Sequence, residues 1–159
     1  MTEQERSRRI FKVIVSLLFV SVILTGIFGW YIMQNVRVTA RRTDLDMRCL
    51  AWASVAFACN NQGRFPTSRE ELFQVNPPPD SIDCAPAGES QNWPTTFAEA
   101  MRGETPPELD DAFRRLAMAF SSDGKLPPRI DPRGLPTLID PPTKDTVREW
   151  LFTFPVSDD

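Results

Sequence analysis

The sequence contains no histidine, and it has only seven glycines and three cysteines. Without histidine, His-based general acid–base catalysis, a Ser-His-Asp arrangement and histidine ligation of a metal are all excluded. The glycines form no phosphate-binding loop, and the serines have no histidine to activate them. The sequence therefore predicts a protein that is not an enzyme and that binds no cofactor.

Most of the chain also lacks an excess of positive charge. From residue 34 onward there are 14 basic and 19 acidic side chains, a net charge of −5. This balance argues against a nucleic-acid partner. Among the acidic residues, Asp123, Asp131 and Asp140 flank a proline-rich stretch and could donate oxygens to a calcium ion. Their spacing fits no compact calcium loop, and turn formation with solubility is the alternative interpretation.

Residues 13–33, "VIVSLLFVSVILTGIFGWYIM", carry no charge over 21 positions. As a helix they span about 31 Å, which is close to the thickness of a bilayer core. The apolar core of a cleaved signal peptide is usually shorter, about 7–15 residues. The segment therefore predicts an uncleaved transmembrane helix in the lipid bilayer, with a cleaved signal peptide as the alternative.

The orientation of this helix depends on the charges beside it. Four basic residues precede it and four follow it: Arg6, Arg8, Arg9 and Lys12, then Arg37, Arg41, Arg42 and Arg48. Because long C-terminal domains translocate largely regardless of charge, we expect the short tail to stay in the cytoplasm. This predicts a single-pass protein of the bacterial inner (cytoplasmic) membrane, whose C-terminal domain is periplasmic or extracellular.

Small residues recur on one side of the apolar segment. Ser21, Thr25 and Gly29 lie at i, i+4 and i+8, with Gly26 beside them. Such a stripe allows another transmembrane helix to approach closely. It predicts packing against a membrane protein partner or self-association, and a chance occurrence of small residues on a lipid-facing helix is the alternative.

The three cysteines, Cys49, Cys59 and Cys84, form no CxxC pair. On one helix Cys49 and Cys59 would lie about 15 Å apart along the axis, too far to bond. Cys84 can therefore pair with either Cys59 or Cys49 in an oxidising compartment. The alternative is that all three are buried thiols.

Helical spacing continues beyond the apolar segment. Leu45, Cys49, Trp52, Ala56 and Cys59 are spaced 4, 3, 4 and 3, and no proline or glycine interrupts residues 30–62. This predicts one helix from about residue 10 to residue 60. Its apolar seam should pack on its own domain, or also on neighbouring subunits.

Two similar joints follow helical stretches. "VAFACNNQGRFP" (residues 55–66) aligns without gaps to "LAMAFSSDGKLP" (residues 116–127). In the first, Gly63 should stop the helix, Pro66 should keep it stopped, and Thr67 or Ser68 should cap the next one. The predicted joint residues are Gly63, Phe65, Pro66, Gly124 and Pro127.

The fold class that follows is mainly α, or α+β with few strands. Leu109, Phe113, Leu116, Ala117 and Phe120 form a helical stripe, which predicts a helix over residues 109–120. The predicted organisation is a cytoplasmic tail (1–12), a transmembrane helix (13–33), a helical extension (34–62) and a small helix-rich extracytoplasmic domain with proline-rich loops (63–159).

The order of a short basic tail, an apolar helix, a helical extension and "GRFPTSREEL" resembles type II secretion pseudopilins and related type IV pilin-like proteins. Gly63, Arg64, Phe65, Pro66 and Thr67 match the turn that follows the long N-terminal helix in that family. The resemblance covers residues 10–73, without the family's prepilin cleavage motif or the glutamate inside the span. It implies a non-catalytic component of a secretion assembly.

We therefore expect a non-catalytic subunit or accessory of an envelope assembly, such as a pilin-like secretion component. One alternative is a small accessory subunit of an unrelated membrane complex. The other is a membrane-anchored ligand-binding domain or envelope enzyme.

Overall fold

The computed structural model describes residues 3–84, 94–138 and 143–152, with side chains described from Phe11 onward. The architecture is mainly helical, with one two-stranded sheet in the described part. The first helix, α1, is by far the longest and spans Glu3–Asn60. The division of the fold into two compact units, Met1–Val38 and Thr39–Asp159, falls within this helix.

The N-terminal unit, Met1–Val38, consists of the first part of α1. All side chains from residue 13 to residue 33 are exposed. In the part of the chain that the structure describes, one helix is long and apolar enough to cross a membrane, judged by length and composition: Phe11–Asn60, with a window of mean hydropathy 2.4. The structure thus contains the long apolar N-terminal helix that the sequence predicts, compatible with a membrane anchor.

In the C-terminal unit, Thr39–Asp159, the rest of α1 forms the centre of the core. Every residue from 43 to 58 is buried except Leu45, which is half-buried. The apolar seam of the sequence predicted one buried face, whereas the structure covers this stretch on all sides. The run "CLAWASVAFA" explains the difference, because a helix that is apolar all round belongs inside a core.

Short elements surround this buried part of α1. They are α2 (Arg69–Leu72), a 3-10 helix (Phe73–Val75), α3 (Phe97–Ala100), α4 (Leu109–Arg115) and α5 (Thr143–Phe152). Their apolar side chains join those of α1 in a single core, to which they contribute Leu72, Ala100, Leu109, Ala112, Val147, Trp150 and Leu151. The predicted extension of the membrane helix is therefore an integral part of the folded domain.

The end of α1 follows the local chemistry of its sequence. The N–H groups of Asn61 and Gly63 both donate to the carbonyl oxygen of Ala58, at 3.1 and 2.9 Å. Gly63 has a φ of 86°, a conformation that glycine adopts readily. Ser68 then caps α2, because its hydroxyl accepts a hydrogen bond from the N–H of Glu71. Of the two predicted caps, Ser68 rather than Thr67 is the one the structure uses.

The predicted helix over residues 109–120 is wrong in its second half. α4 ends at Arg115, and Leu116 is already extended, with φ −108° and ψ 163°. The chain then forms β1 (Ala117–Ala119), which pairs antiparallel with β2 (Arg129–Asp131), Met118 lying opposite Ile130. Pairing with β2, which begins 12 residues after β1 begins, competes with the helix. The helical spacing of the apolar residues does not indicate this pairing.

Candidate functional site

The small residues of the apolar segment lie on exposed surface of α1. Ser21, Thr25, Gly26 and Gly29 are all exposed, and a Cβ built on either glycine would meet nothing within 4 Å. The hydroxyl of Thr25 donates to the carbonyl oxygen of Ser21 at 2.9 Å. The Thr25 donor is thus satisfied within the helix, and the two glycines leave room for close packing.

Charged side chains are buried where α1 enters the core of the C-terminal unit. Asp44 is 2% exposed and Arg48 3% exposed, and Arg48 Nε donates to Asp44 Oδ2 at 2.9 Å. The other carboxylate oxygen, Asp44 Oδ1, accepts from the hydroxyl of the buried Thr143 at 2.6 Å. Arg48 Nη1 also reaches the carbonyl oxygen of Ala100 at 3.4 Å. This cluster joins α1 to the end of α3 and the start of α5.

A second buried carboxylate, Asp46, is 1% exposed. It accepts two hydrogen bonds from Arg115, from Nε at 2.6 Å and from Nη2 at 2.5 Å. These bonds raise the pKa of Arg115, and the nearby charges of Asp46 and Asp111 act in the same direction. The pair ties α1 to the last residue of α4 in the bidentate geometry that gives arginine–carboxylate pairs their strength.

The electrostatic surroundings of Arg48 differ from those of Arg115. Burial lowers the pKa of its guanidinium, and the charge of Asp44 offsets part of this effect. Its Cζ lies 5.1 Å from the centroid of the Trp150 ring. Arg48 Nη2 and Trp150 Nε1 are buried without a hydrogen-bond partner. Both buried carboxylates, Asp44 and Asp46, accept hydrogen bonds from arginine side chains.

The cysteines divide into a pair and a single thiol. Cys59, near the end of α1, forms a disulfide with Cys84, and Cys49 remains free and buried. Burial raises the pKa of Cys49 to about 12, with the charge of Asp46 as the lesser cause. A thiol of this kind is neutral at physiological pH and has little nucleophilic character.

The predicted joint residues come together in space. The N–H of Phe65 donates to the carbonyl oxygen of Gly124 at 2.9 Å, which joins the first joint to the second. Phe65 is fully buried, and Gly124 has a φ of 68°. In the sequence, Gly63 and Pro66 lie on either side of Phe65. Pro127 follows Gly124 and lines a groove described below. The two similar sequences thus lie against each other at Arg64, Phe65 and Gly124.

Two of the calcium candidates, Asp123 and Asp131, lie in separate turns. Asp123 accepts hydrogen bonds from the hydroxyl of Ser121 and the N–H of Lys125, and Asp131 accepts from the N–H of Arg133. Asp140 lies outside the described residues. Within the described ranges, no three potential metal-ligating side chains of the His, Cys, Asp or Glu type gather at one place. Asp123 and Asp131 therefore act as turn residues.

A groove of about 500 Å³ lies beside β2 and α5. Its wall combines proline and apolar side chains with charges of both signs, and it includes Arg129, Asp131, Lys144, Asp145 and Arg148. No sequence pattern predicted this groove. The residues of the buried cluster were also missed, although Asp44 and Arg48 have the i, i+4 spacing of a helical ion pair.

No protein-family model, curated protein sequence or solved structure matches this chain. Functional inference therefore depends on the residues and contacts described above.

Proposed function

We propose that this chain is a single-pass membrane protein whose domain Thr39–Asp159 is a non-catalytic part of an envelope assembly. The observation that carries the proposal is the uncharged stretch of residues 13–33, all of whose large apolar side chains are exposed. Exposed apolar surface of this extent is unfavourable in water and favourable in a bilayer. Its length matches the bilayer core.

The disulfide supports the proposed orientation. Cys59 and Cys84 are joined within the C-terminal unit, and disulfides persist mainly in oxidising compartments. A periplasmic or extracellular location of this unit puts the N-terminal tail in the cytoplasm. The basic residues are equal in number on the two sides of the apolar segment, so their count favours neither orientation. The disulfide is therefore the more informative observation.

The state of the ionisable groups supports a non-catalytic role. Asp44 and Asp46 are held by Arg48 and Arg115, and the free thiol of Cys49 has a strongly raised pKa. Catalytic groups are usually tuned toward the pH at which they work and placed in a cleft. These groups are instead engaged in interactions that hold the short elements around α1.

Two versions of the assembly role remain proposals. The turn at Gly63, Arg64, Phe65 and Pro66 supports a pilin-like secretion component, because it ends the long N-terminal helix as in that family. The alternative proposal, an accessory subunit of an unrelated membrane complex, is supported by the same apolar segment. In both versions the small-residue stripe of residues 21–29 is the proposed contact with a membrane partner or a second copy.

The test is native purification of the full chain, tagged at its C-terminus, in a mild detergent. We expect stoichiometric co-purification of a membrane protein or of a second, untagged copy. The double substitution Gly26→Leu and Gly29→Leu should abolish this co-purification. The matched control is Val20→Phe with Leu24→Phe, which adds bulk to the opposite side of the helix and should leave the complex intact.

A clean monomer without a partner would contradict the assembly role. The orientation has its own test, in which alkaline phosphatase is fused after Asp159. An active fusion is expected, and a stable but inactive fusion would reverse the proposed topology.

A further inference from the structure

The groove beside β2 and α5 has an apolar floor. Met47, Val147 and Leu151 line it and are buried, whereas Ile130 of β2 is half-buried. All four residues belong to the C-terminal unit and to its hydrophobic core or the side chains packed against it. The groove is therefore a feature of that unit alone, and it gives access to the surface of the core.

The groove runs along one edge of β2. All three residues of β2 (Arg129–Asp131) line it, whereas none of β1 (Ala117–Ala119) does. Because successive side chains of a strand point to opposite faces, a groove that all three residues line lies along the edge rather than on one face. In the described part of the chain, residues 129–131 make no backbone hydrogen bond other than those with β1. Such an edge can accept an extended segment as a further strand.

Prolines limit the length of this edge. Pro127 and Pro128 precede β2 and Pro132 follows it, and proline has no backbone N–H to donate. The edge that can pair is therefore about three residues long, or about 10 Å at the usual rise of a strand. It suits a short extended segment.

Exposed apolar side chains are also found at this groove. Among the described residues of the C-terminal unit, the large apolar side chains that remain strongly exposed are Leu126 and Phe152, at 63% and 62%. Phe152 lines the groove, and Leu126 directly precedes Pro127, which also lines it. Exposed apolar surface beside a concave region is typical of a protein interaction site.

The net charge of the groove is opposite to that of its domain. Three cations and two carboxylates line it, a net charge of +1: Arg129, Lys144, Arg148, Asp131 and Asp145. From Thr39 to Asp159 the sequence has 13 basic and 19 acidic residues, a net charge of −6. None of the three cations forms an ion pair with a described residue. The groove thus attracts an acidic partner, which the rest of the domain repels.

We propose that the free edge of β2 binds a short, extended, acidic segment of a partner protein as a third strand. The backbone of the segment pairs with residues 129–131, and its apolar side chains lie beside Ile130 on the floor. Its carboxylates meet Arg129, Lys144 and Arg148. This contact is additional to the membrane contact proposed above, and it requires no membrane span.

The test measures binding of a fluorescein-labelled peptide, Gly-Glu-Val-Glu-Val-Glu-Gly, to the full chain in a neutral detergent. Fluorescence anisotropy gives the dissociation constant. Arg129→Gln with Arg148→Gln should weaken binding by about threefold to fivefold for each charge removed. A peptide with lysine in place of glutamate should bind more weakly to the wild type, because its charge is repelled by the cations of the groove.

The matched control is Arg42→Gln with Arg114→Gln. It removes the same charge from two exposed positions that do not line the groove, and it should leave the dissociation constant unchanged. Absence of binding to the wild type, or equal weakening in the control and in the groove variant, would overturn the proposal.

N-methylation of the peptide tests the strand pairing. In an extended strand, successive N–H groups point to opposite edges, so methylation of the valine amides and of the glutamate amides blocks different edges. One of the two methylated peptides should lose binding, and the other should keep it. An equal effect of the two modifications would show that side chains alone hold the peptide, and pairing with β2 would be refuted.

Other occupants of the groove would give different results. If the last seven residues of the chain, "TFPVSDD", filled it, the wild type would not bind the peptide, whereas Asp158→Asn with Asp159→Asn would. A second copy would give dimers in sedimentation velocity that Arg129→Gln with Arg148→Gln lacks. Either result would overturn a partner segment. A failed co-purification test of the assembly role would leave peptide binding unchanged, because the peptide assay contains no membrane partner.

Discussion

The backbone N–H of Phe65 donates to the carbonyl oxygen of Gly124 at 2.9 Å, although 59 residues separate them in the chain. Phe65 follows the end of α1, and Gly124 lies in the turn between β1 and β2. A Cβ on Gly124 would lie 2.7 Å from both Arg64 Cγ and Phe65 O. The contact thus depends on the absence of a side chain as well as on the left-handed backbone.

Gly124→Ala should destabilise the domain by about 2–4 kcal/mol. Part of this effect is the left-handed conformation, at about 1 kcal/mol, and the rest is the clash with Phe65 O. Gly134→Ala is the matched control, because Gly134 has φ 78° but open space around it. The free energy of unfolding of that variant should fall by only about 1 kcal/mol. Urea unfolding followed by near-UV circular dichroism measures both, and equal losses would show that packing at Gly124 is unimportant.

Local sequence was sufficient to predict part of this structure. The helical spacing without proline or glycine predicted a helix to about residue 60, where α1 ends, and Gly63 with Thr67 or Ser68 predicted the turn and cap that follow. These features depend on neighbouring residues alone. The same reasoning failed for residues 116–120, because β1 exists only through its pairing with β2.

The buried cluster has the same limitation. Asp44 and Thr143 are hydrogen-bonded partners separated by 99 residues. Their residue types indicate no such contact, since aspartate and threonine are usually found at surfaces. Only the path of the chain around α1 places Thr143, at the start of α5, beside the Asp44 carboxylate.

Arg115→Gln should lower the free energy of unfolding by about 3–5 kcal/mol. The reason is that Asp46, which is 1% exposed, would lose its bidentate partner in the core. The neighbouring Arg114→Gln is the control. Arg114 pairs with Asp110 and its side chain is 71% exposed, so the expected loss is below about 1 kcal/mol. Similar losses for the two variants, measured by urea unfolding, would contradict the structural importance of the buried pair.

Replacement of both Cys59 and Cys84 by serine should lower the free energy of unfolding by about 3 kcal/mol. The disulfide closes a loop with a sequence separation of 25, and its loss frees the unfolded chain. Cys49→Ala serves as the control that keeps the disulfide. Non-reducing electrophoresis with thiol labelling of the unfolded proteins should find one free thiol in the wild type and none in Cys49→Ala. Two or three free thiols in the wild type, purified from its native host, would contradict the disulfide and the oxidising compartment.

Acid sensitivity should be partly due to Glu71 in α2, the helix that follows the first joint. Its carboxylate accepts from the N–H and hydroxyl of Thr67, at 2.7 and 2.9 Å, and from Arg64. The backbone N–H of Thr67 and the guanidinium of Arg64 are the main causes that lower the pKa of Glu71 from its ordinary 4.5 to about 2. A carboxylate with a depressed folded-state pKa stabilises the fold above its unfolded-state pKa. That contribution should disappear as the pH falls from about 4.5 to about 2.

Glu71→Gln should therefore be less stable than the wild type at pH 7 and lose less stability on acidification, so that the two profiles converge toward pH 2. The control is Glu108→Gln, since the Glu108 side chain makes no capping hydrogen bond at the start of α4. Its profile should follow that of the wild type. Urea unfolding at a series of pH values gives the measurement. Parallel stability profiles for wild type and Glu71→Gln would show that the Glu71 carboxylate does not stabilise the fold. The hydrogen bonds from Thr67 would then have no energetic role.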